Sequence, residues 1–175
     1  MAIDLRPLGK LILRSLRSLG GSNTKPATRP GAVKAQTHTG GVGGSYPGDF
    51  RGPLRPKYSP KPNGQPDPGE IVWGWVPYEE DYSRGKDRPV LLVGDDGRWL
   101  LGLMLTSKDH DHGAQADDYV DIGAGAWDRQ GRPSEVKVDR VIRLDPGSIR
   151  REGAVLEKAR FNEVSRALRA QHGTR

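Results

Sequence analysis

A chain of 175 residues with 28 Lys+Arg against 22 Asp+Glu, a formal charge of +6, has room for one ordinary domain plus a sizeable appendage. No run approaches the roughly 18 apolar residues that a membrane-spanning helix needs. The absence of cysteine removes disulfides, thiolate zinc sites, iron–sulfur clusters and cysteine nucleophiles together, so a soluble, cytoplasmic protein is the expectation.

The positive charge is gathered at one end. Residues 1–66 hold 11 Lys+Arg and two acids, Asp4 and Asp49, a net +9, whereas residues 67–175 hold 17 and 20, a net −3. At the start, Leu5, Leu8, Ile12, Leu16 and Leu19 recur at helical spacing among Arg6, Lys10, Arg14 and Arg17. This pattern predicts a short basic amphipathic helix over residues 1–19, ended by Gly20-Gly21. It lacks the uninterrupted apolar stretch and small-residue cleavage site of a secretory signal. Its functional readings are weak contact with a membrane surface, with nucleic acid or with a protein partner; fraying in solvent is the simpler one. Residues 20–66 are rich in Gly and Pro and poor in apolar residues, which predicts a disordered basic linker.

From residue 67 to 175 short β-rich runs alternate with turn residues, as in a small sheet or barrel. Ile71 to Val76 forms the first strand and Pro89 to Val93 the second. Asp95-Asp96-Gly97 turns the chain into a third strand, Trp99 to Leu105, and these last two make a hairpin. Tyr119, Val120 and Ile122 supply a shorter strand. Val136, Val138, Val141, Ile142 and Leu144 supply the last, stopped by Asp145-Pro146-Gly147. Leu156, Phe161, Val164, Ala167 and Leu168 share one face of a helix from about Gly153 to Gln171, placed to cover one mouth of a five-strand barrel. The four tryptophans are expected to supply the bulk of the core.

Few residues carry chemistry. In Gly85-Lys86-Asp87-Arg88-Pro89 a charged loop ends in an Arg-Pro step before a buried strand, which sets Arg88 at the strand's mouth. The next strand ends in Thr106-Ser107-Lys108, and antiparallel pairing brings that end beside the start of its neighbour. Arg88 and Thr106 therefore meet at one rim. A guanidinium fork beside hydroxyls and an ammonium is a receptor for phosphate, although a solvated rim charge satisfies the same pattern.

Four blocks, GEIVWGWVPYEED, GKDRPVLLVG, LGLMLTSKD and SEVKVDRVIRLDP, followed by a closing helix, resemble the PemK/MazF toxins of bacterial toxin–antitoxin systems over about Pro68 to His172. The resemblance implies a mostly β fold, a small SH3-like β-barrel with a C-terminal α-helix, that forms a homodimer. It further implies cleavage of RNA without a metal or other cofactor, and inhibition by an antitoxin protein. It places Arg88 and Thr106 in the central catalytic roles and makes Ser107 a phosphate contact. The glutamate that many relatives carry shortly before the Arg-Pro step is not in its usual place, and Glu79 or Glu80 could substitute as the base; a solvated acidic turn is the other reading.

Lys86, Lys108 and Arg84 are expected to collect around the groove and offset the domain's negative charge. Trp73, Trp75 and Tyr82 are candidates for stacking on bases, with the core as the competing place for the tryptophans. His110 and His112 alternate with Asp109 and Asp111 just beyond Thr106; two imidazoles fall short of a zinc site, so no metal is assigned, and His110 is carried forward as a substrate contact. The competing function is a noncatalytic module on the same barrel that binds a protein or nucleic-acid partner, as the related CcdB toxins do.

Overall fold

The computed structural model describes residues 46–110 and 113–173. The expected helix over 1–19 and the linker as far as residue 45 lie outside the described residues, as do Asp111 and His112.

Among the described residues seven strands and one α-helix follow in order: β1 (Glu70–Pro77), β2 (Gly85–Asp96), β3 (Trp99–Thr106), β4 (Tyr119–Gly123), β5 (Ser134–Lys137), β6 (Ile142–Leu144), β7 (Arg151–Val155) and α1 (Lys158–His172). They form one antiparallel sheet in the order β4-β5-β3-β2-β1-β7, with β6 also paired to β3. The β2–β3 hairpin turns at Gly97, whose φ of 61° lies in the left-handed region that glycine enters without strain.

Each central strand is apolar on both faces, because each face is covered. On one face Ile71, Leu91, Val93, Leu101, Leu103, Leu105 and Val136 pack with Phe161, Val164 and Leu168 of α1. On the other a smaller cluster gathers Val72, Val76, Val90, Leu92, Ile142 and Leu144. Leu144 explains the curl of the sheet. It pairs with Leu100 on β3, yet a Cβ built on Gly74 of β1 would lie 2.8 Å from its Cδ2, and one on Gly102 of β3 would lie 3.0 Å from its Cδ1. Strands that are separated in the sheet order thus meet over two glycines, and the second cluster fills the hollow of a half-barrel. The register slip between Leu92 and Gly94 in β2 provides part of the bend.

Three expectations are corrected. The last predicted strand is two strands: β5 pairs with the end of β3 and β6 with its beginning, and the chain turns between them at Asp139-Arg140. The residues expected to open the helix form β7, which pairs along β1, and the helix starts only at Lys158. Of the tryptophans only Trp127 enters the core, with its Nε1 donating to Ser134 Oγ at 3.0 Å; Trp73, Trp75 and Trp99 are half-buried.

The predicted linker also ends earlier than residue 66. Residues 46–60 form an extended strap along the sheet. Phe50, Leu54 and Tyr58 pack onto the main core from alternate positions, Phe50 bridges to Val141, and Lys57 N–H donates to the Val93 carbonyl at 2.9 Å. The Tyr58 hydroxyl donates to the Leu156 carbonyl at 2.9 Å, and its ring lies 5.0 Å from that of Phe161. Proline at 53 and 56 forbids a helix here, so residues four apart fall on one face of an extended chain.

Two arginines, one in the turn before β6 and one on β6, hold the strap's beginning. Arg140, 7% exposed, makes a bidentate pair with Asp49 (2.8 and 3.0 Å) and donates to the Pro77 carbonyl. Arg143 donates to the carbonyls of Gly48 and Asp49 and to Asp96.

Candidate active site

The β2–β3 ladder closes with the pair Val90 and Met104. Arg88 and Thr106 each lie two residues beyond that pair, so strand alternation puts both on the face of the small cluster, at one end of the hollow. On its other side Arg88 pairs with Gly74 of β1, where no side chain intervenes. Thr106 pairs with Glu135 of β5, and Glu135 with Asp121 of β4. The result is a polar row that crosses four strands on one face, β2, β3, β5 and β4.

The groups in this row differ in how they are committed. Arg88 is half-buried, and among the described residues no carboxylate pairs with it; its neighbour Asp87 is taken by Arg150. Thr106 Oγ1 accepts the Lys108 N–H at 3.1 Å, a turn that fixes the oxygen and leaves the hydroxyl proton to donate elsewhere. Glu135 is 8% exposed and both its oxygens hold His110: Oε1 accepts the backbone N–H at 3.1 Å, and Oε2 lies 2.7 Å from Nδ1. The imidazole stacks on Tyr119, with centroids 3.9 Å apart and planes 2° from parallel.

Tyr119 in turn pairs with Lys137. Burial works against the charge on Lys137, but its hydrogen bond to Asp139 at 2.7 Å together with the charges of Asp139 and Glu79 outweighs this and raises its pKa above the ordinary lysine value. Burial raises the Tyr119 phenol as well.

The remaining candidates fall into two groups. Ser107, Lys108 and Lys86 are exposed at the same end of β2 and β3. Glu79, Glu80 and Arg84 sit on the loop between β1 and β2. Glu79 reaches within 3.8 Å of Lys137 Nζ, Arg84 lies over the Tyr78 ring at 5.7 Å, and Glu80 is exposed. Tyr82, on the same loop, is exposed, and its ring meets that of Tyr46 of the strap at 74° with centroids 5.0 Å apart. Trp73 Nε1 donates to the Trp127 carbonyl at 3.0 Å.

Sequence reasoning missed Glu135, Lys137, Asp139 and Tyr119. The alternation Ser134-Glu135-Val136-Lys137 held the signal, because Val136 in the core forces Glu135 and Lys137 together onto the other face.

The sequence profile of the family described as PemK-like, MazF-like toxin of type II toxin–antitoxin system matches residues 67–172. Among solved structures, an endoribonuclease in complex with its cognate antitoxin from a mycobacterial species is 16% identical; the match covers 63% of this chain and 97% of that one, with a TM-score of 0.48. Toxin MazF-mt6 of Mycobacterium tuberculosis is 13% identical over 59% of this chain and 96% of its own (TM-score 0.44). A MazE–MazF structure from Deinococcus radiodurans matches at 20% identity over 63% and 98% (TM-score 0.46). No curated protein matches the sequence.

Proposed function

Because the chain belongs to the PemK-like, MazF-like toxins of type II toxin–antitoxin systems, we propose that it is an endoribonuclease that cuts single-stranded RNA by attack of a ribose 2′-hydroxyl on the adjoining phosphate. The observation that carries this reading is Arg88. It is a half-buried guanidinium that pairs with no carboxylate among the described residues, at the end of a hollow and on the same face as the fixed hydroxyl of Thr106.

The chemistry asks little more of the protein. The O2′–P bond forms as the P–O5′ bond breaks, giving a 2′,3′-cyclic phosphate and a 5′-hydroxyl. Charge builds on the non-bridging oxygens, where a planar cation and a hydroxyl donor stabilise it most. Arg88 takes the phosphorane-like charge and faces the departing 5′-oxygen; Thr106 holds a non-bridging oxygen, with Ser107 beside it. Proton transfer and oriented donors suffice, so the reaction needs no metal. DNA, which lacks the 2′-hydroxyl, is not cut. Lys86, Lys108 and Arg84 attract the RNA backbone at the rim. The working form is a homodimer that an antitoxin protein holds inactive.

The test is incubation of the purified full chain with a long single-stranded RNA in EDTA. Discrete fragments ending in 2′,3′-cyclic phosphate are expected, and Arg88→Ala and Thr106→Ala should each slow their formation on the order of a hundredfold or more. Intact RNA at high protein concentration would leave the noncatalytic binding module as the better reading.

A further inference from the structure

We propose that His110 is the general base of this site, held in its working tautomer by Glu135; the proposal rests on the endoribonuclease reading above. Glu135 stands directly across from Thr106 in the β3–β5 ladder and is almost fully buried, so its carboxylate belongs to the same row as the phosphate-binding pair. A buried carboxylate needs donors, and His110 supplies two, the backbone N–H at 3.1 Å and Nδ1 at 2.7 Å.

The geometry fixes the ring. With Nδ1 facing a carboxylate oxygen, the neutral imidazole carries its proton there and keeps a lone pair on Nε2, the arrangement that a proton acceptor requires. Stacking on Tyr119 prevents rotation about the Nδ1 contact. Nε2 has no hydrogen-bond partner among the described residues, and the side chain keeps 20% of its surface open to solvent. Rigid on one nitrogen and available on the other, the ring has the same construction as the carboxylate-oriented histidine of other acyl- and phosphoryl-transfer sites.

The step balances simply. Nε2 takes the proton of the 2′-hydroxyl as O2′ bonds to phosphorus; the departing O5′ takes a proton from water; and the imidazolium is stabilised by Glu135 until it returns its proton to solvent. Among the described residues, the charged and titratable groups around the pair are Glu135 and Lys137 on β5, Asp139 and Asp118, and the phenol of Tyr119, with Lys108 and Asp109 on the segment that carries His110.

The experiment uses the full chain and a short RNA spanning a mapped cleavage point, under single turnover. His110→Ala is expected to slow cleavage by about 10²–10⁴, to abolish the decline of rate toward acid pH that protonation of the imidazole imposes, and to recover in part with added imidazole. His110→Gln keeps a donor for Glu135 but cannot accept the proton; it should be equally slow while melting like the wild type. Glu135→Gln should lower kcat and leave KM unchanged. A substrate whose 5′-oxygen is replaced by sulfur leaves without protonation, and it should not rescue His110→Ala.

If His110→Gln cleaves within a few-fold of wild type with an unchanged pH profile while Arg88→Ala is inactive, the base assignment is wrong and the ribonuclease reading stands. Rescue by the sulfur substrate also overturns it, since His110 would then act as the acid. If the wild type cuts no RNA, both readings fall.

Discussion

Asp49 and Arg140, 91 positions apart in the chain, share two hydrogen bonds of 2.8 and 3.0 Å, and Arg140 keeps only 7% of its surface exposed. The pair fastens the start of the strap to the sheet. Tyr46 donates to the same carboxylate at 2.6 Å and packs on Tyr82 of the loop that carries Glu79 and Glu80, so the fastening also reaches the loop beside the site. Breaking a buried pair from one side strands the other charge. Asp49→Ala is therefore expected to cost about 3–5 kcal/mol in chemical denaturation, and Asp49→Asn less, because an amide still accepts from Arg140.

The same carboxylate gives a pH dependence of definite sign. Burial opposes its ionisation, but hydrogen bonds from Arg140 and Tyr46 together with the Arg140 charge outweigh it and hold its pKa below the ordinary carboxylate value. A depressed pKa contributes stability that is fully present above the unfolded-state value of about 3.9 and is lost as pH falls through the lower folded value. Melting of wild type and Asp49→Asn should therefore differ at neutral pH and converge below about pH 4. A gap that persists unchanged at pH 3 would show that the carboxylate's charge is not what holds the strap.

Truncation separates strap from linker. A chain that begins at Tyr46 should retain the stability of the folded unit. One that begins at Asp67 removes Phe50, Leu54 and Tyr58 from the main core and leaves Arg140 without its partner. Apolar burial at about 1.5–3 kcal/mol per side chain makes the loss at least several kcal/mol. Thermal melting of the two truncations, with RNA cleavage assayed in parallel, checks this. Equal melting temperatures would mean that the strap adds nothing to the fold.

The strap shows where reading the sequence stops. Strands β1 to β3 are legible because their β-rich apolar runs and the turn at Gly97 are local signals. The strap is not, because Phe50, Leu54 and Tyr58 are separated by Gly, Pro and charged residues, and their apolar face acquires a meaning only against Phe161 and Leu156, about a hundred residues away. The split of β5 from β6 is hidden for a related reason: apolar residues continue through Val136, Val138, Val141 and Ile142, although the first of them pairs at one end of β3 and the last at the other. At the site, Thr106 stands out by its place at the end of β3 and Arg88 by the Arg-Pro step, although β2 begins three residues before it, at Gly85, so Arg88 lies within the strand and not at its mouth. Glu135 does not, since a glutamate in a short strand reads as a solvent-facing residue until β3 and β4 cover it from both sides.

Gly102 tests the curl. A Cβ there would lie 2.4 Å from Val90 Cγ1 and 3.4 Å from the Leu91 carbonyl, inside the hollow that Leu144 closes. Gly102→Ala should cost about 1–3 kcal/mol through overpacking. Gly113→Ala, at a position where a Cβ would meet no atom within 4 Å, should stay within about 0.5 kcal/mol of wild type. Urea titrations of both variants decide, and equal midpoints would show that the sheet opens to admit the methyl group without strain.

The last prediction separates charge from shape at the phosphate. Arg88→Lys keeps the positive charge but replaces a planar fork with a single ammonium. If long-range attraction were the whole contribution, lysine would serve almost as well. If the guanidinium grips two oxygens as the phosphorus becomes five-coordinate, lysine should lose most of what alanine loses, within about tenfold of Arg88→Ala, with the defect in kcat and little change in KM. Thr106 offers the complementary pair: Thr106→Ser retains the hydroxyl that accepts the Lys108 N–H and should cleave within about tenfold of wild type, whereas Thr106→Val, of nearly the same shape, should be slower by about a hundredfold. Single-turnover rates with the protein in saturating excess over RNA, together with steady-state kcat and KM, measure all four. Equal rates for the serine and valine variants would remove the hydroxyl from the mechanism and leave Arg88 as the only one of the two in contact with the phosphate.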